Sequence, residues 1–214
     1  MRDTIPKATM SRISLYLHEV EQWQQQGHEK ISSQQLAEIL GLTATQVRKD
    51  LTHFGQFGRP GVGYHCGELI RQLRLILGTD RVRHVALVGC GNLGRALATY
   101  PRFEKRGFSI VAVFDNDPRK IGRKVGPHKV QDMSHLSAVC RQKDITLAIL
   151  AVPAAAAQDV ADRLVAAGVY GILNFAIVGL AAPSDVVVST VALSMELEQL
   201  GLAVRLRHHG TRDA

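Results

Sequence analysis

The order of hydrophobic and polar positions divides this chain into a helical first part and a second part in which short apolar runs alternate with helices. Residues 7–26 place apolar side chains at helical spacing and end at a glycine. Two short helices follow, beginning at Ser32 and at Thr43, each with a Gln three residues later that predicts a capping box. A further helical pattern ends at Gly78. The first part, residues 1–80, is therefore predicted to be a small helical domain.

The two short helices have the spacing of a helix-turn-helix, from about Leu15 to Phe54. Ala37 is small where the helices would cross, Gly41 can adopt the positive φ of the turn, and Val47 lies between the helices. Several side chains of the second helix point away from its core face and could contact bases or phosphates: Thr45, Gln46, Arg48, Lys49, Thr52 and His53. A plain helical hairpin with a solvated basic face is the alternative interpretation.

A glycine-rich segment, residues 55–64, follows the second helix. Its four glycines, separated by apolar and aromatic side chains, predict a small hairpin that would form a wing, with Arg59 near its tip. Arg59 could enter a minor groove, although a single arginine in a loop is more often solvated.

In the second part, six apolar runs alternate with helical patterns, which predicts a parallel sheet with right-handed crossovers. Strands are expected at residues 84–89, 108–115, 129–131, 145–152, 170–175 and 186–191, with helices at 93–105, 134–142 and 156–167. A short amphipathic helix is predicted near the end. The fold class is therefore α/β, in three parts: a winged helix-turn-helix domain (1–80), a Rossmann-like parallel-sheet domain (81–192), and a C-terminal helix with its tail (193–214).

The first strand of the sheet ends in Gly-x-Gly-x-x-Gly and passes directly into a helix. In such a unit Gly89 permits the tight turn, Gly91 lets a pyrophosphate approach the backbone, and Gly94 lets the helix pack close to the strand. Phosphates would then bind free N–H groups of the loop and the helix start. The stretch that would hold them comprises Gly89, Cys90, Gly91, Asn92, Leu93 and Gly94.

An acid follows the second strand at the spacing expected of a dinucleotide site. Asp115 lies 21 residues after Gly94, where a carboxylate accepts hydrogen bonds from the adenosine ribose and repels a 2′-phosphate. NAD(H) is therefore favoured over NADP(H). Val152 and Pro153, after the fourth strand, could border the nicotinamide. A generic strand–turn–helix unit with an exposed Asp, and an ordinary loop after the fourth strand, are the alternatives.

Composition narrows the class of protein without locating a partner. With 214 residues, 46% of them hydrophobic, the chain can bury a sizeable core. No apolar run reaches membrane-spanning length and the first residues lack an apolar leader, so a cytoplasmic protein is expected. The net charge of +7 suggests an anionic partner, but residues 1–80 carry nine basic and eight acidic side chains, so bulk charge does not place it there. The three cysteines fit neither a disulfide framework nor a zinc site: Cys66, Cys90 and Cys140.

The chain resembles the Rex family of redox-sensing transcriptional repressors, which bind NADH. The resemblance runs from about residue 5 to residue 200 and is carried by residues 5–9, 46–51, 54–58, 61–64, 88–94, 114–118 and 171–176. It implies a homodimer with a C-terminal helix exchanged between subunits. It also implies that NAD(H) is a regulatory ligand, that NADH releases the protein from double-stranded operator DNA, and that NAD⁺ permits binding. Because a dimer reads two half-sites, the operator is expected to be an inverted repeat.

The chain departs from the family pattern at two positions. Ala192 stands where the family usually has an Asp that pairs with an Arg of the first helix, here Arg12, near a Tyr, here Tyr100. That set responds to the redox state of the nicotinamide in the family, and Ala192 cannot accept the bond. Ile177 stands where the family usually has a Pro. The resemblance therefore implies intact DNA and cofactor sites with altered coupling between them.

Two other functions compete with a repressor when the residues alone are considered. One is a small NAD-dependent oxidoreductase with an accessory N-terminal domain, although no His, Lys or Tyr falls in an obvious catalytic pattern near the expected cofactor. The other is a coenzyme A-binding module, whose glycine loop is related. Asp115 favours the ribose of NAD over coenzyme A.

Overall fold

The computed structural model describes residues 5–58 and 62–209. These residues form two compact units, one extending to Arg81 and the other beginning at Val82. The first unit contains helices α1 (Lys7–Gln25), α2 (Ser33–Leu40), α3 (Ala44–Thr52) and α4 (Cys66–Leu77), and strands β1 (Lys30–Ile31) and β2 (Tyr64–His65). The second unit contains strands β3 (Arg83–Val88), β4 (Phe108–Asp115), β5 (Lys124–Val125), β6 (His128–Asp132), β7 (Leu147–Leu150), β8 (Gly171–Asn174) and β9 (Val187–Thr190). Its helices are α5 (Asn92–Ala98), α6 (Pro101–Lys105), α7 (Leu136–Gln142), α8 (Ala154–Ala166) and α9 (Leu193–His209), with a 3-10 turn at Met133–His135 before α7.

The caps and turn of the helix-turn-helix follow the sequence prediction closely. Ser32 and Gln35 form both bonds of a capping box: the Gln35 N–H donates to the Ser32 hydroxyl at 3.1 Å, and the Ser32 N–H donates to the Gln35 amide oxygen at 2.9 Å. Gly41 takes the left-handed conformation with φ of 65° and ends α2. Thr43 caps α3 by accepting from the Gln46 N–H, but the Gln46 side chain does not return to it. The second capping box is therefore a single cap.

Among the described residues, the strand pairing predicted for the wing is wrong. The predicted hairpin lay entirely within residues 55–64, whereas β2 pairs antiparallel with β1, which precedes α2. The register places Ile31 opposite Tyr64. A two-residue strand such as β1 is too short to give an alternating pattern, so the sequence offered little signal for it.

The predicted parallel sheet is confirmed, with seven strands in the order β5-β6-β4-β3-β7-β8-β9. All neighbouring strands are parallel except β5, an edge strand antiparallel to β6 that was not predicted. The predicted helix 93–105 is two helices, because Pro101 cannot continue α5 and instead begins α6. Alternate residues of the central strands face opposite layers: Phe114 and Leu150 are buried with α7 and α8, and Val85 and Ile149 are buried on the other face.

Helix α9 differs from the short amphipathic helix that was predicted. It runs for 17 residues, and its apolar side chains are exposed rather than packed along one stripe: Leu193, Met195, Leu197, Leu200, Leu202, Val204 and Leu206. Across residues 5–58 and 62–209, no helix combines the length and apolar character needed to cross a membrane.

A buried carboxylate joins α1 to α3 in the first unit. Asp50 is 1% exposed and accepts from Arg12, whose Nη2 lies 2.8 Å from Oδ1 and whose Nε contacts Oδ2. The Tyr16 hydroxyl donates to it at 2.6 Å, the Thr9 hydroxyl at 3.1 Å and the Gln46 amide at 2.9 Å. Removing any one donor would leave a buried acceptor less satisfied, so the network fixes how α3 lies on α1.

The network holds Asp50 in its charged form. Burial alone would raise the pKa of the carboxyl, but hydrogen bonds from Arg12, Tyr16 and Gln46, together with the charge of Arg12, outweigh burial and lower the pKa to about 2. Burial, with the bond to Asp50, raises the pKa of Tyr16. The unit is therefore stabilised by ionised Asp50 at neutral pH.

Replacing Asp50 by Asn should lower the free energy of unfolding at pH 7 by roughly 2–4 kcal/mol, because Arg12 loses its anion. The lowered pKa belongs to the folded state, so this stabilisation is present above about pH 4 and is lost as the pH falls towards 2. In denaturant titrations, the difference in the free energy of unfolding between the unaltered and Asp50→Asn proteins should thus decrease by about 2 kcal/mol over that range.

The matched control is Glu38→Gln, which removes an exposed acid from α2 and should change the free energy of unfolding by less than about 0.5 kcal/mol. A difference in the free energy of unfolding between the unaltered and Asp50→Asn proteins that stays constant from pH 7 to pH 2 would contradict the role given to the ionised carboxylate.

Candidate functional site

The glycine loop between β3 and α5 has the close contacts that its sequence predicts. Gly89 has φ of +97°, and a Cβ there would lie 2.3 Å from the carbonyl oxygen of Ala151. A Cβ on Gly94 would lie 1.9 Å from the carbonyl oxygen of Gly89, so only glycine allows α5 to approach the turn. A Cβ on Gly91 would meet no atom within 4 Å. The space beside Gly91 is therefore available to a group from outside the chain.

Asp115 ends β4 directly beside this loop. It is 5% exposed, and its Oδ2 accepts from the Cys90 N–H at 2.7 Å and from the Lys120 ammonium at 2.9 Å, while Oδ1 accepts from the Asp117 N–H at 2.9 Å. Burial would raise the pKa of Asp115, but the two backbone N–H groups and Lys120 outweigh it and lower the pKa. Asp115 is thus an ionised acceptor that is joined to the glycine loop.

The loop after β7 completes this edge of the sheet. Ala151 N–H donates to the Val88 carbonyl at 2.8 Å, and a Cβ on Gly89 would come within 3.0 Å of the Val152 side chain. Pro153 is exposed and precedes α8. Because β4, β3 and β7 are adjacent and parallel, their carboxyl ends meet where the strand order reverses, which is where doubly wound sheets bind ligands.

The remaining predicted cofactor residues lie in the same loop. Asn92 and Leu93 are exposed at the start of α5, and Cys90 is buried. Burial and the charge of Asp115 both raise the pKa of the Cys90 thiol, so it is held as the weakly nucleophilic thiol. Cys90 contributes its backbone N–H to the site rather than a reactive sulfur.

Sequence reasoning missed two polar residues at this edge. Lys120 reaches Asp115 through a turn, and Asn174, fully buried at the end of β8, holds the following segment by accepting from the Ala176 N–H and donating to the Val178 carbonyl. The signal for Lys120 was the basic pair that follows the Asp-Asn-Asp-Pro turn. The signal for Asn174 was a polar residue ending a buried apolar run.

The outer face of α3 carries most of the predicted DNA-binding side chains. Arg48 is exposed and is aligned by its bonds to the hydroxyls of Ser33, at 2.9 Å, and Thr45, at 3.2 Å. Exposed side chains on and just after α3 are those of Thr45, Arg48, Lys49, Thr52 and His53. The exception is Gln46, whose amide donates inward to Asp50. Its side chain is turned away from the outer face in this conformation.

A groove of about 710 Å³ lies between α3 and the glycine-rich segment, lined by Arg48, Thr52, Gln56, Phe57, Val62 and Tyr64 among others. Arg59 lies outside the described residues, so its predicted place at the tip of the wing stays a prediction.

The three predicted switch residues are divided between the units. Arg12 lies in the first unit and is not left unpaired by the alanine at position 192, because it binds Asp50. Tyr100 and Ala192 lie in the second unit: the Tyr100 ring is 45% exposed and packs edge-on against Phe103, and the Ala192 carbonyl accepts from the Glu196 N–H at the start of α9.

Two family models match this chain, one mainly in each of its two units. The family model described as a putative DNA-binding protein N-terminus matches residues 4–52, and the CoA binding domain model matches residues 80–178. The chain is 47% identical over 201 residues to the redox-sensing transcriptional repressor Rex of Carboxydothermus hydrogenoformans, covering 94% of this chain and 97% of that one. The chain belongs to the Rex family. The Rex repressor of Desulforamulus reducens is 45% identical, with 95% and 97% covered.

Solved structures of a Rex-family repressor share the whole fold. The crystal structure of RSP in complex with β-NAD⁺ and operator DNA matches with a TM-score of 0.90 and 35% identity over 99% of each chain. RSP in complex with β-NADH matches with a TM-score of 0.87 over 97% of this chain and 98% of that one, at the same identity. The match to the CoA binding domain model includes the glycine loop and strands β3 to β8 and ends before β9.

The glycine loop generates a prediction with its own matched control. Gly91→Ala should leave the melting temperature unchanged, because its Cβ enters open space, yet lower the affinity for the expected dinucleotide by about tenfold or more. Gly94→Ala should instead lower the free energy of unfolding by more than about 2 kcal/mol, because its Cβ would overlap the Gly89 carbonyl. Thermal unfolding and NADH titration of both variants provide the measurement. Normal NADH affinity in Gly91→Ala would exclude the loop from the binding site.

Proposed function

We propose that this chain is a DNA-binding transcriptional repressor that senses the NADH/NAD⁺ ratio and leaves its operator when NADH binds. The observation that carries the proposal is one chain that combines a capped helix-turn-helix with a glycine loop joined to a buried, ionised Asp. Similarity along nearly the whole chain to Rex repressors, one of them solved with β-NAD⁺ and operator DNA and also with β-NADH, supports both halves of it.

The cofactor half of the proposal rests on the carboxyl edge of the sheet. Asp115 would accept the ribose hydroxyls, the loop around Gly91 would receive the pyrophosphate, and Val152 with Pro153 would border the nicotinamide. NAD(H) acts here as a regulatory ligand. The chain therefore binds the dinucleotide without turnover, and NADH incubated with the protein and a panel of 2-hydroxy and 2-oxo acids should stay unoxidised.

The partner half of the proposal is a homodimer on an inverted repeat. The exposed apolar side chains of α9, and a cavity of about 550 Å³ that opens on the sheet face beside α6, are surfaces of the kind that association buries. The acids Glu196 and Glu198 lie on α9, and Arg102 lines that cavity. These features support a dimer that exchanges α9, as the family resemblance implies.

The proposal is tested by selecting binding sites for the full chain from random duplex DNA and then titrating the selected site at fixed salt with NAD⁺ or NADH. The selected site should be an inverted repeat with its halves one or more helical turns apart. Binding should persist with NAD⁺ and weaken with NADH. Selection without any consensus, or identical binding with both nucleotides, would refute the proposal.

Two neighbouring residues of α3 should have different effects on DNA binding. Arg48→Ala should cost about 1–3 kcal/mol and relax the preference at one base pair, since an aligned arginine reads a base edge. Lys49→Ala should weaken binding to all DNA sequences alike. It should also reduce the slope of log binding constant against log salt concentration by about one, as expected of a phosphate contact. Binding curves on the selected site and on single-base variants, at several salt concentrations, distinguish the two. Wild-type binding by both variants would defeat the assignment of α3 as the reading helix.

NADH should lower the operator affinity of this protein less than it lowers that of relatives that have an Asp at position 192. Ala192→Asp should sharpen the release by NADH, because a charge-assisted hydrogen bond is worth roughly 1.5–3 kcal/mol, or ten- to hundredfold in a two-state equilibrium. Arg12 is already bound to Asp50 in the unaltered protein, so a bond to the new carboxylate would have to compete with that ion pair. The quantity to measure is the ratio of operator dissociation constants with NADH and with NAD⁺.

Ala192→Asn is the control for this change, since it has nearly the same size without the charge, and its ratio should stay near that of the unaltered protein. If the unaltered protein is already fully released by NADH and Ala192→Asp leaves the ratio unchanged, the coupling runs through other residues.

A further inference from the structure

The carboxylate of Asp115 has little capacity left for a ribose while Lys120 is bound to it. A carboxylate offers about four acceptor positions, and three are used here by the N–H groups of Cys90 and Asp117 and by the Lys120 ammonium. A ribose presents two adjacent hydroxyls and so needs two positions for a bidentate contact. A bidentate ribose would bring the number of donors on Asp115 to five, so it binds most favourably when one of the three present donors withdraws.

Lys120 is the donor that can withdraw. The Cys90 and Asp117 N–H groups belong to the backbone, within the glycine loop and the turn after β4. The backbone of Lys120 is held as well, because its own N–H donates to the Asp117 carbonyl at 2.9 Å and the following Ile121 N–H donates to the same carbonyl at 3.1 Å. The Lys120 side chain, however, is 38% exposed and has four rotatable bonds.

A withdrawn ammonium stays near the ribose oxygens that replace it. It leaves the Oδ2 of Asp115, the atom next to which a ribose hydroxyl would bind, and its anchored backbone keeps it within a side-chain length. Asp115 alone would repel a phosphate on the 2′-oxygen, whereas Asp115 with a cation beside it presents almost no net charge.

We propose that Lys120 is a specificity-determining residue of this nucleotide site, a retractable counter-ion of Asp115 that reduces the discrimination against a 2′-phosphate. The inference rests on the proposed function, since it needs a dinucleotide at Asp115. The ligand class is an adenine dinucleotide with or without a 2′-phosphate, and the quantity that Lys120 sets is the ratio of the NADPH and NADH dissociation constants.

Arg119 is a matched control from the neighbouring position. Its guanidinium binds both oxygens of Asp117 at 3.0 Å rather than Asp115, and its side chain is 86% exposed. Arg119→Met therefore removes the same charge from the same turn without changing the partners of Asp115. Lys120→Arg keeps the charge at position 120.

The experiment titrates the full chain with NADH and with NADPH by calorimetry at two salt concentrations, after thermal unfolding has shown that each variant folds. Lys120→Met should raise the NADPH/NADH ratio of dissociation constants by about tenfold at low salt, Lys120→Arg should restore the ratio, and Arg119→Met should change it less than twofold. Asp115→Ala should lower the ratio, because the repulsion of the 2′-phosphate is gone.

Each other outcome overturns the inference in a recognisable way. Equal loss of both affinities in Lys120→Met would mean that Lys120 attracts any anionic nucleotide. If Arg119→Met changed the NADPH/NADH ratio as much as Lys120→Met does, the effect would belong to the overall charge of the turn. An unchanged ratio in Lys120→Met would remove Lys120 from specificity. Failure of the unaltered protein to bind NADH would defeat the proposed function itself, and the inference with it.

Discussion

A carboxylate that is removed from water has to be surrounded by donors, and in the described part of each unit one buried carboxylate joins separate elements of the fold. Asp50 is 1% exposed and Asp115 is 5% exposed, and both remain ionised because donors from separate elements converge on them. Satisfying Asp50 fixes α3 against α1. Satisfying Asp115 joins the end of β4 to the glycine loop.

The two carboxylates differ in the kind of donor that surrounds them, and this difference determines how much capacity each has for an outside partner. Five hydrogen bonds from packed side chains enclose Asp50, so it has no capacity for an outside partner. Asp115 is held by two backbone N–H groups and one partly exposed lysine. The lysine side chain is partly exposed and can move without disturbing these backbone bonds, which suits Asp115 to the ligand-binding role proposed for it.

The sequence predicted those features that depend on a few neighbouring residues. The Ser32 capping box, the positive φ of Gly41, the tight turn at Gly89 and the close approach at Gly94 each follow from local geometry. Two features that depend on distant partners, and that lack the repeated pattern of the parallel sheet, were not predicted. The pairing of β1 with β2 and the bond between Arg12 and Asp50 join residues about 35 to 40 positions apart, and neither leaves a periodic signal in the chain. The same reason explains Gln46, whose type suits DNA but whose partner is Asp50.

The ion pair between Arg12 and Asp50 bears on how nucleotide binding in the second unit could alter the affinity for DNA. An arginine without a partner in its own unit could be moved at little cost, and its movement would leave α3 in place. Arg12 instead holds the buried carboxylate of α3, so drawing Arg12 away would leave Asp50 with an uncompensated charge. Any coupling that acts through Arg12 therefore acts on α3 itself. If the two sites are coupled through Arg12, a single ion pair connects that residue to the helix that carries Arg48 and Lys49.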